Sequence, residues 1–306
     1  LVDTLFQCTT CGACAEQCPS GVNPPEIIKQ VRKDMVHNHS CHPAFEGMYK
    51  VLSEHTNIYG EDDTEDFERE RNRKAAFVYF IGCVGSYRED EATLAALDLL
   101  DHLKVDYTLI DEVCCSGVLD DVGFRTQTDL AGKNVDLILQ TGAKTVITGC
   151  PYCFRTFNDR PAYKTLSDNG IEVIHISQFL KNFDMGVETE KKVTYHDPCD
   201  LGRHCGIYDA PRETIQKIAP DFVEMRHNRE NALCCGAGGG VRGAYAKNSI
   251  AMARRRLEEV EEIGAEIVLT ECNSCVHNLG NAKLRSQKFK VYTTTQFINR
   301  LIQGEE

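Results

Sequence analysis

From Ala75 onward the chain alternates short apolar runs with longer stretches whose apolar positions recur every three or four residues. That alternation is the signature of buried strands interleaved with amphipathic helices. Phe77–Ile81, Asp106–Ile110, Thr145–Thr148 and Val173–Ile176 read as strands. Asp90–Leu103, with Leu94, Leu97 and Leu100 on one side, and Leu130–Thr141 read as helices. After Lys192 the plan recurs: a strand at Val193–Tyr195, a helix at Asn248–Ile263 carrying Ile250, Met252, Ala253, Leu257 and Val260, then strands at Glu266–Thr270 and Val291–Tyr292. Both copies close on a related tetrad, Ser177-Gln-Phe-Leu180 and Thr295-Gln-Phe-Ile298. This recurrence predicts a duplicated α/β unit over 75–186 and 190–302, each a parallel sheet with helices on its faces and its functional groups beyond the carboxyl ends of the strands.

Ahead of Ala75 the pattern differs. Pro24-Pro25 opens a helix whose apolar face holds Ile27, Ile28, Val31 and Met35, and residues 1–60 read as a small helical domain. Residues 61–74 are charge-dense and almost without apolar content, and read as a linker or surface excursion. The fold class is therefore α/β: two pseudo-symmetric lobes preceded by a small helical domain. With 306 residues the chain can bury a sizeable core without disulfide staples. A net charge of -12 with no basic stripe argues against nucleic acid as a ligand. The longest apolar run, Ala75–Gly85, is about half of the ~20 residues a spanning helix needs. No secretory signal is visible, so a reducing cytoplasm is expected, with membrane association through a partner subunit.

The cysteines change the picture. Residues 8–19 read Cys-Thr-Thr-Cys-Gly-Ala-Cys-Ala-Glu-Gln-Cys-Pro, the run in which bacterial ferredoxins wrap thiolates around an iron–sulfur cube, with Gly12 relieving the crowding. Zinc is the rival, but its knuckles usually lack the trailing Cys-Pro. Cys8, Cys11, Cys14 and Cys18 are thus cubane ligands, Cys18 either closing a lone cube or serving a second one. The start at Leu1 without Met favours a truncated or processed chain, whose missing segment would carry the second run. Cys41 is a substitute ligand or an apolar filler.

Ten more of the sixteen cysteines form a pattern used twice: Cys83, Cys114-Cys115 and Cys150-x-x-Cys153, then Cys199, Cys234-Cys235 and Cys272-x-x-Cys275. Vicinal and Cys-x-x-Cys pairs make strained disulfides, and four-coordinate zinc would leave thiols idle. Ten structural thiols would need the same spacing to arise twice. Pure sulfur sets select soft metals or iron–sulfur assemblies, and five thiols exceed what a cube takes. The Gly236-Ala-Gly-Gly-Gly240 run lets the backbone fold close beside Cys234-Cys235, so Gly236, Gly238, Gly239 and Gly240 are expected against the bound cofactor. No dinucleotide fingerprint is present, so no flavin is expected in this chain.

Each five-cysteine set, and most specifically Tyr195-His-Asp-Pro-Cys199 with Cys234-Cys-Gly-Ala-Gly-Gly-Gly240, resembles the cysteine-rich CCG domain of the heterodisulfide reductase family. A ferredoxin-like segment ahead of two such domains is similar to that family's D-type subunit, a fusion of its C and B subunits. The resemblance implies a noncubane four-iron cluster held by Cys83, Cys114, Cys115, Cys150 and Cys153 and another held by Cys199, Cys234, Cys235, Cys272 and Cys275. The paired clusters would split a disulfide between them, fed through the cubane. It implies as partners a flavoprotein subunit or a membrane cytochrome b or quinone-reactive subunit, and a disulfide, thiol or sulfur-carrier protein as substrate. Relatives of the same architecture link flavoprotein dehydrogenases or electron-transferring flavoprotein to quinone, which is the alternative activity. One departure is Ser116, where the family usually has Gly.

His196 and His204 flank Cys199 and are candidate proton donors to a departing thiolate, or hydrogen-bonding groups for sulfur or backbone. Cys205 is a sixth thiol near the second set or a packed free cysteine. Arg203, Arg242 and Arg254-Arg-Arg256 are candidates for attracting an anionic substrate, or solvated surface charges.

Overall fold

The computed structural model describes residues 2–62, 67–125 and 127–305. Two parallel sheets organise it. The first has the order β2-β1-β3-β4, with β1 Phe77–Phe80, β2 Tyr107–Thr108, β3 Thr145–Thr148 and β4 Glu172–His175. The second has the order β5-β6-β7, with β5 Val193–His196, β6 Ile267–Thr270 and β7 Lys290–Thr293. Every pairing is parallel, as strands separated by crossover helices require. The registers of β1-β3-β4 and β5-β6-β7 correspond strand for strand, so the duplication is visible in the backbone.

The two sheets differ at β2. The apolar run Asp106–Ile110 reads as a full strand, yet only two residues join the ladder. Leu109 instead pairs with Arg71, donating its N–H to the Glu70 carbonyl and accepting from Asn72. The charged passage therefore runs along the sheet edge rather than crossing open solvent, anchored by Arg73 to Asp106 at 2.7 Å and by Arg69 to Asp98 and Asp101. Charges suit an edge, because only one face of it is buried. Residues 63–66 of the expected linker lie outside the described residues. In the second sheet an isolated bridge, Val193 to Phe222, stands at the matching edge.

The repeated tetrads have a local cause. His175 and Thr293 are helix N-caps, and Gln178 and Gln296 reach back to their backbone N–H groups at 2.9 and 2.8 Å, closing a capping box in each copy. The helices then pack inward. One core spans both sheets, joining Tyr79, Leu97 and Leu100 to Tyr195, Leu269, Phe297 and Ile298, so the lobes are fused by shared burial.

The N-terminal segment holds the expected helix, Pro24–His37, and a second one, Pro43–His55, capped by His42 with proline in its first turn. It packs on the lobes through Phe6, Phe45 and Val122. Among the described residues no helix is long and apolar enough to cross a membrane.

Candidate metal centres

All four anchoring cysteines sit just past strand ends. Cys83 follows β1 and starts the helix Cys83–Tyr87, Cys150 follows β3, Cys199 follows β5 and Cys272 follows β6. Cys150 and Cys272 are the N-cap residues of helices Pro151–Asp159 and Asn273–Ala282. These helices carry Cys153 and Cys275 in their first turn. The vicinal pairs arrive from a separate loop.

In the first lobe the thiols form a chain. Cys115 and Cys153 lie with sulfurs 3.4 Å apart, Cys153 N–H donates to Cys150 Sγ, and Cys114 hydrogen-bonds with both Cys115 and Cys83. The second lobe repeats it: Cys235 and Cys275 are 3.2 Å apart, Cys275 bonds with Cys272, and Cys234 bonds with Cys199. The ten cysteines expected to act as two sets are therefore brought together as two sets of five.

Their acidities suit a metal guest. Hydrogen bonds from Cys114 and Cys153 hold the Cys115 thiol well below its ordinary value, and the same bonds push Cys114 and Cys153 up. Cys235 is likewise pulled down by Cys234 and Cys275, and Cys275 is raised. Shared protons stand in for cationic charge in a pocket of sulfur, and ionising the whole set calls for a soft, positively charged guest. The backbone ahead of Cys83 approaches the other thiols closely: a Cβ on Gly82, whose φ is +82°, would sit 3.1 Å from Cys153 Sγ. The donor sets are consistent with iron–sulfur clusters.

The N-terminal run lies against the second lobe. Burial raises the Cys8 thiol, and the neighbouring Cys11 and Cys14 add to the rise. Cys18 is turned to its own loop, accepting from Val22 N–H at 3.3 Å. Cys11 also hydrogen-bonds with Cys234, which raises the Cys11 thiol and lowers that of Cys234. Of the four glycines expected against the cofactor, two seat this run. A Cβ on Gly238 would fall 2.6 Å from the Thr9 carbonyl oxygen, and one on Gly239 2.5 Å from that of Cys8. Gly236 and Gly240 are closed off by Ser249 O and by Phe45 and Val122 respectively. Only glycine lets these backbones touch.

The histidines have different surroundings. His204 Nε2 donates to the Thr10 carbonyl at 2.8 Å, so it grips the N-terminal run. His196 is buried, and burial followed by the Arg256 charge pushes its pKa down to about 3. Arg256 Nε donates to its Nδ1 at 3.1 Å, which leaves the proton on Nε2. That atom has no hydrogen-bond partner among the described residues. The ring groups with the Cys235 and Cys275 sulfurs, so a neutral imidazole presents one N–H beside the second set.

The candidate arginines are mostly tied up. Arg203 donates to the carbonyls of Cys11, Glu230 and Ala232, Arg242 to Tyr59 Oη, and Arg254 to the Ala282 carbonyl. Arg256 is fully buried against Glu259 and the His227 carbonyl. Arg255 is exposed. Cys205 packs with Leu201 and Ile207, its thiol raised to about 12 by burial. Cys41 packs on Phe6 and Phe45, raised to about 11 for the same reason.

Sequence reading missed Arg32. Fully buried, it donates to the carbonyls of Leu5, Cys8, Asp121 and Gly239, binding the N-terminal run to both lobes. On a helix of mixed polarity nothing distinguishes it from a solvated arginine. The buried carboxyl of Glu112 was also missed. It accepts from Ile81 and Gly82 N–H at 2.8 and 2.6 Å, and burial pushes its pKa up to about 7. It lines a cavity of about 730 Å³ with Cys83, Cys114, Ser86, Tyr87 and Arg71. Its cysteine lining comes from the first set.

The family profile described as cysteine-rich domain, CCG, matches residues 77–158 and 193–280. The chain is 32% identical over 307 aligned residues to the D-type subunit of the dihydromethanophenazine:CoB--CoM heterodisulfide reductase of Methanosarcina barkeri, covering 92% of this chain and 73% of that protein. It is 26% identical to the EtfAB:quinone oxidoreductase of Syntrophomonas wolfei, covering 90% of this chain and 43% of that one. A hypothetical protein from Helicobacter pylori has a similar fold, with a TM-score of 0.61 at 10% identity, covering 91% of this chain and 57% of that one. The chain belongs to the cysteine-rich CCG-domain family and is an iron–sulfur oxidoreductase of the group that includes the D-type heterodisulfide reductase subunits.

Proposed function

We propose that this chain is the disulfide-handling component of a larger oxidoreductase complex, reducing a disulfide to two thiols or running the reverse. The overall change is RSSR′ + 2 e⁻ + 2 H⁺ → RSH + R′SH. The observation that carries this reading is that both five-cysteine sets are complete and gathered in the same order, where a simple relay needs no such pair. Cys83, Cys114, Cys115, Cys150 and Cys153 would hold one noncubane four-iron cluster and Cys199, Cys234, Cys235, Cys272 and Cys275 the other. Cys8, Cys11 and Cys14 would hold a cubane, completed by Cys18 or by a thiolate from another segment. When bound, such clusters supply electrons one at a time and iron sites for sulfur.

The protein's own groups supply the rest. His196 keeps its Nε2 proton as a hydrogen-bond donor beside Cys235 and Cys275, which favours negative charge on sulfur. Glu112 holds the turn that carries Cys83 through two backbone N–H groups. His204 and Arg203 fix the N-terminal run.

The second reading, electron transfer to or from quinone through a flavoprotein, draws on the name of the Syntrophomonas relative. Protein purified without oxygen is to be analysed for iron and sulfide, then assayed with a reduced low-potential dye and a panel of disulfides. Turnover of a disulfide supports the first reading. Quinone reduction without turnover of any disulfide removes it, and a colourless, iron-free protein removes both.

A further inference from the structure

Arg256 is fully buried on the helix Ala246–Ile263, whose Ala253 and Leu257 pack in the same apolar cluster as Cys235, Cys272 and Cys275. A guanidinium in such a place is costly unless its donors are used. Nη1 donates to the Glu259 carboxylate at 2.5 Å and to the His227 carbonyl at 2.6 Å. Glu259 is itself buried and also pairs with His227, so the positive charge is balanced inside the network. Nε donates to His196 Nδ1 at 3.1 Å. A guanidinium can only donate, so this bond requires Nδ1 without a proton and fixes the ring proton on Nε2. His196 is as buried as Arg256, its Nε2 has no hydrogen-bond partner among the described residues, and a ring nitrogen lies within 4.8 Å of the Cys235 and Cys275 sulfurs. The first lobe shows the same place without a donor. Phe80 stands opposite Thr148 as His196 stands opposite Thr270, and it packs with Cys115 and Cys153. Each lobe therefore sets a buried aromatic ring against the matching pair of sulfurs, and only the ring in the second carries an N–H. The Thr156 hydroxyl beside Cys115 has its one proton on the Tyr152 carbonyl at 2.7 Å.

We propose that Arg256, braced by Glu259, is a positioning residue that locks His196 as a permanent N–H donor to the second cysteine set, and that this donor raises the reduction potential of the cluster held there. The inference rests on the placement of a cluster in that set proposed above, and it holds whichever substrate the complex serves. Hydrogen bonds to cluster sulfurs are among the levers that set such potentials. They strengthen as the acceptor gains negative charge, so a fixed N–H favours the reduced state. One electron is added to the set and no proton leaves the ring, which distinguishes this role from that of a general acid. The effect is on potential alone, and both clusters take part in the disulfide reaction as proposed above.

The test uses the complete protein, loaded with iron and sulfide without oxygen and titrated with dithionite and mediator dyes in the absence of any disulfide. Electron paramagnetic resonance follows each centre, the second set being the signal altered in Cys275→Ser. In the parent, electron–nuclear double resonance of that signal should show a proton coupling that disappears in deuterium oxide; its absence overturns the proposal without any substitution. His196→Phe, the residue the first lobe already accepts there, should lose the coupling and make reduction of the second set about tenfold less favourable, about 59 mV for one electron. The first set should titrate as in the parent. His196→Gln offers Arg256 an acceptor and the sulfurs an N–H, and should restore the equilibrium to within threefold. Arg256→Met leaves the ring free to carry its proton on Nδ1 and should shift the second set in the same direction as His196→Phe. A purely structural role would change stability or iron content and leave the potential where it was. With iron retained, a second set that titrates within threefold of the parent in His196→Phe or in Arg256→Met overturns the proposal. A parent without iron in the second set overturns the cluster placement and this inference together, whereas quinone reduction without disulfide turnover removes only the disulfide reading.

Discussion

Replacing Arg32 tests how the three parts of the molecule are held together. Its Nη2 donates to the carbonyls of Leu5 and Cys8, both at 2.7 Å, its Nη1 to that of Asp121 at 2.7 Å and, more weakly, to that of Gly239 at 3.4 Å. The side chain is wholly buried, with its guanidinium 5.1 Å from the Phe6 ring centroid. Arg32→Met keeps most of the stem's apolar packing but leaves three carbonyls, that of Asp121 buried and those of Leu5 and Cys8 partly so, without their short bonds, each at about 1–3 kcal/mol. Release of a desolvated charge offsets part of that loss, so a net destabilisation of about 3–5 kcal/mol is expected. Arg32→Lys retains the charge but not the planar fork and should fall between the two. The assay is amide hydrogen exchange of the anaerobic protein, read by mass spectrometry over residues 2–21. Local opening there should become about 10²-fold or more faster, since each 1.4 kcal/mol is a factor of ten. Exchange rates within threefold of the parent in Arg32→Met would refute the reasoning, because the buried carbonyls would then have found other partners at little cost.

Ser116 has a left-handed backbone, φ 59°, and a buried hydroxyl with no hydrogen-bond partner among the described residues. Ser116→Gly should raise stability by about 1 kcal/mol, measured as a higher thermal midpoint, and a lower midpoint would show that the hydroxyl has a partner in solution. Gly239→Ala adds a Cβ 2.5 Å from the Cys8 carbonyl at φ 57° and should release the N-terminal run, leaving the iron of each lobe unchanged but lowering cubane iron; unchanged iron at all three centres would contradict the seat. Cys235→Ser should abolish disulfide turnover while the cubane is still reduced by dye, and loss of both would indicate general misfolding. His175, buried with its pKa pushed down to about 4 by desolvation, binds protons more readily in the unfolded chain. Its contribution to stability is therefore full above about pH 6.5 and lost as pH falls towards 4, up to about 3 kcal/mol. In His175→Gln that part of the acid slope in urea unfolding should disappear, and an unchanged slope would place its origin elsewhere.

Much of the architecture could be read from the residues alone, because it rests on short-range regularities. The period of apolar positions located β1, β3, β4, β5 and β6 to within a residue or two, since strand and helix impose different spacings on whatever must be buried. The paired Ser-Gln-Phe-Leu and Thr-Gln-Phe-Ile tetrads marked the duplication because a capping glutamine acts within one helical turn. The cysteine grouping was legible for a similar reason: sulfur ligands need fixed local spacing, and two copies of it are hard to reach by accident. What tertiary structure decided are relations between distant segments whose residue types are ambiguous by themselves. Arg71 and Asn72 look like linker and become a sheet edge, because Leu109 has an unpaired backbone to satisfy. Gly238 and Gly239, expected against a cofactor, become the seat of the Cys8–Cys11 run, because two backbones can approach that closely only without side chains. Arg32 looks like a solvated arginine and becomes an internal clamp, because carbonyls from three parts of the chain converge on it, while His204, read as a proton donor or a hydrogen-bonding group, grips the Thr10 carbonyl. Composition and spacing thus specify the parts and their chemistry, while the asymmetry between two nearly identical cysteine sets arises only from which neighbour each one meets once the chain has folded.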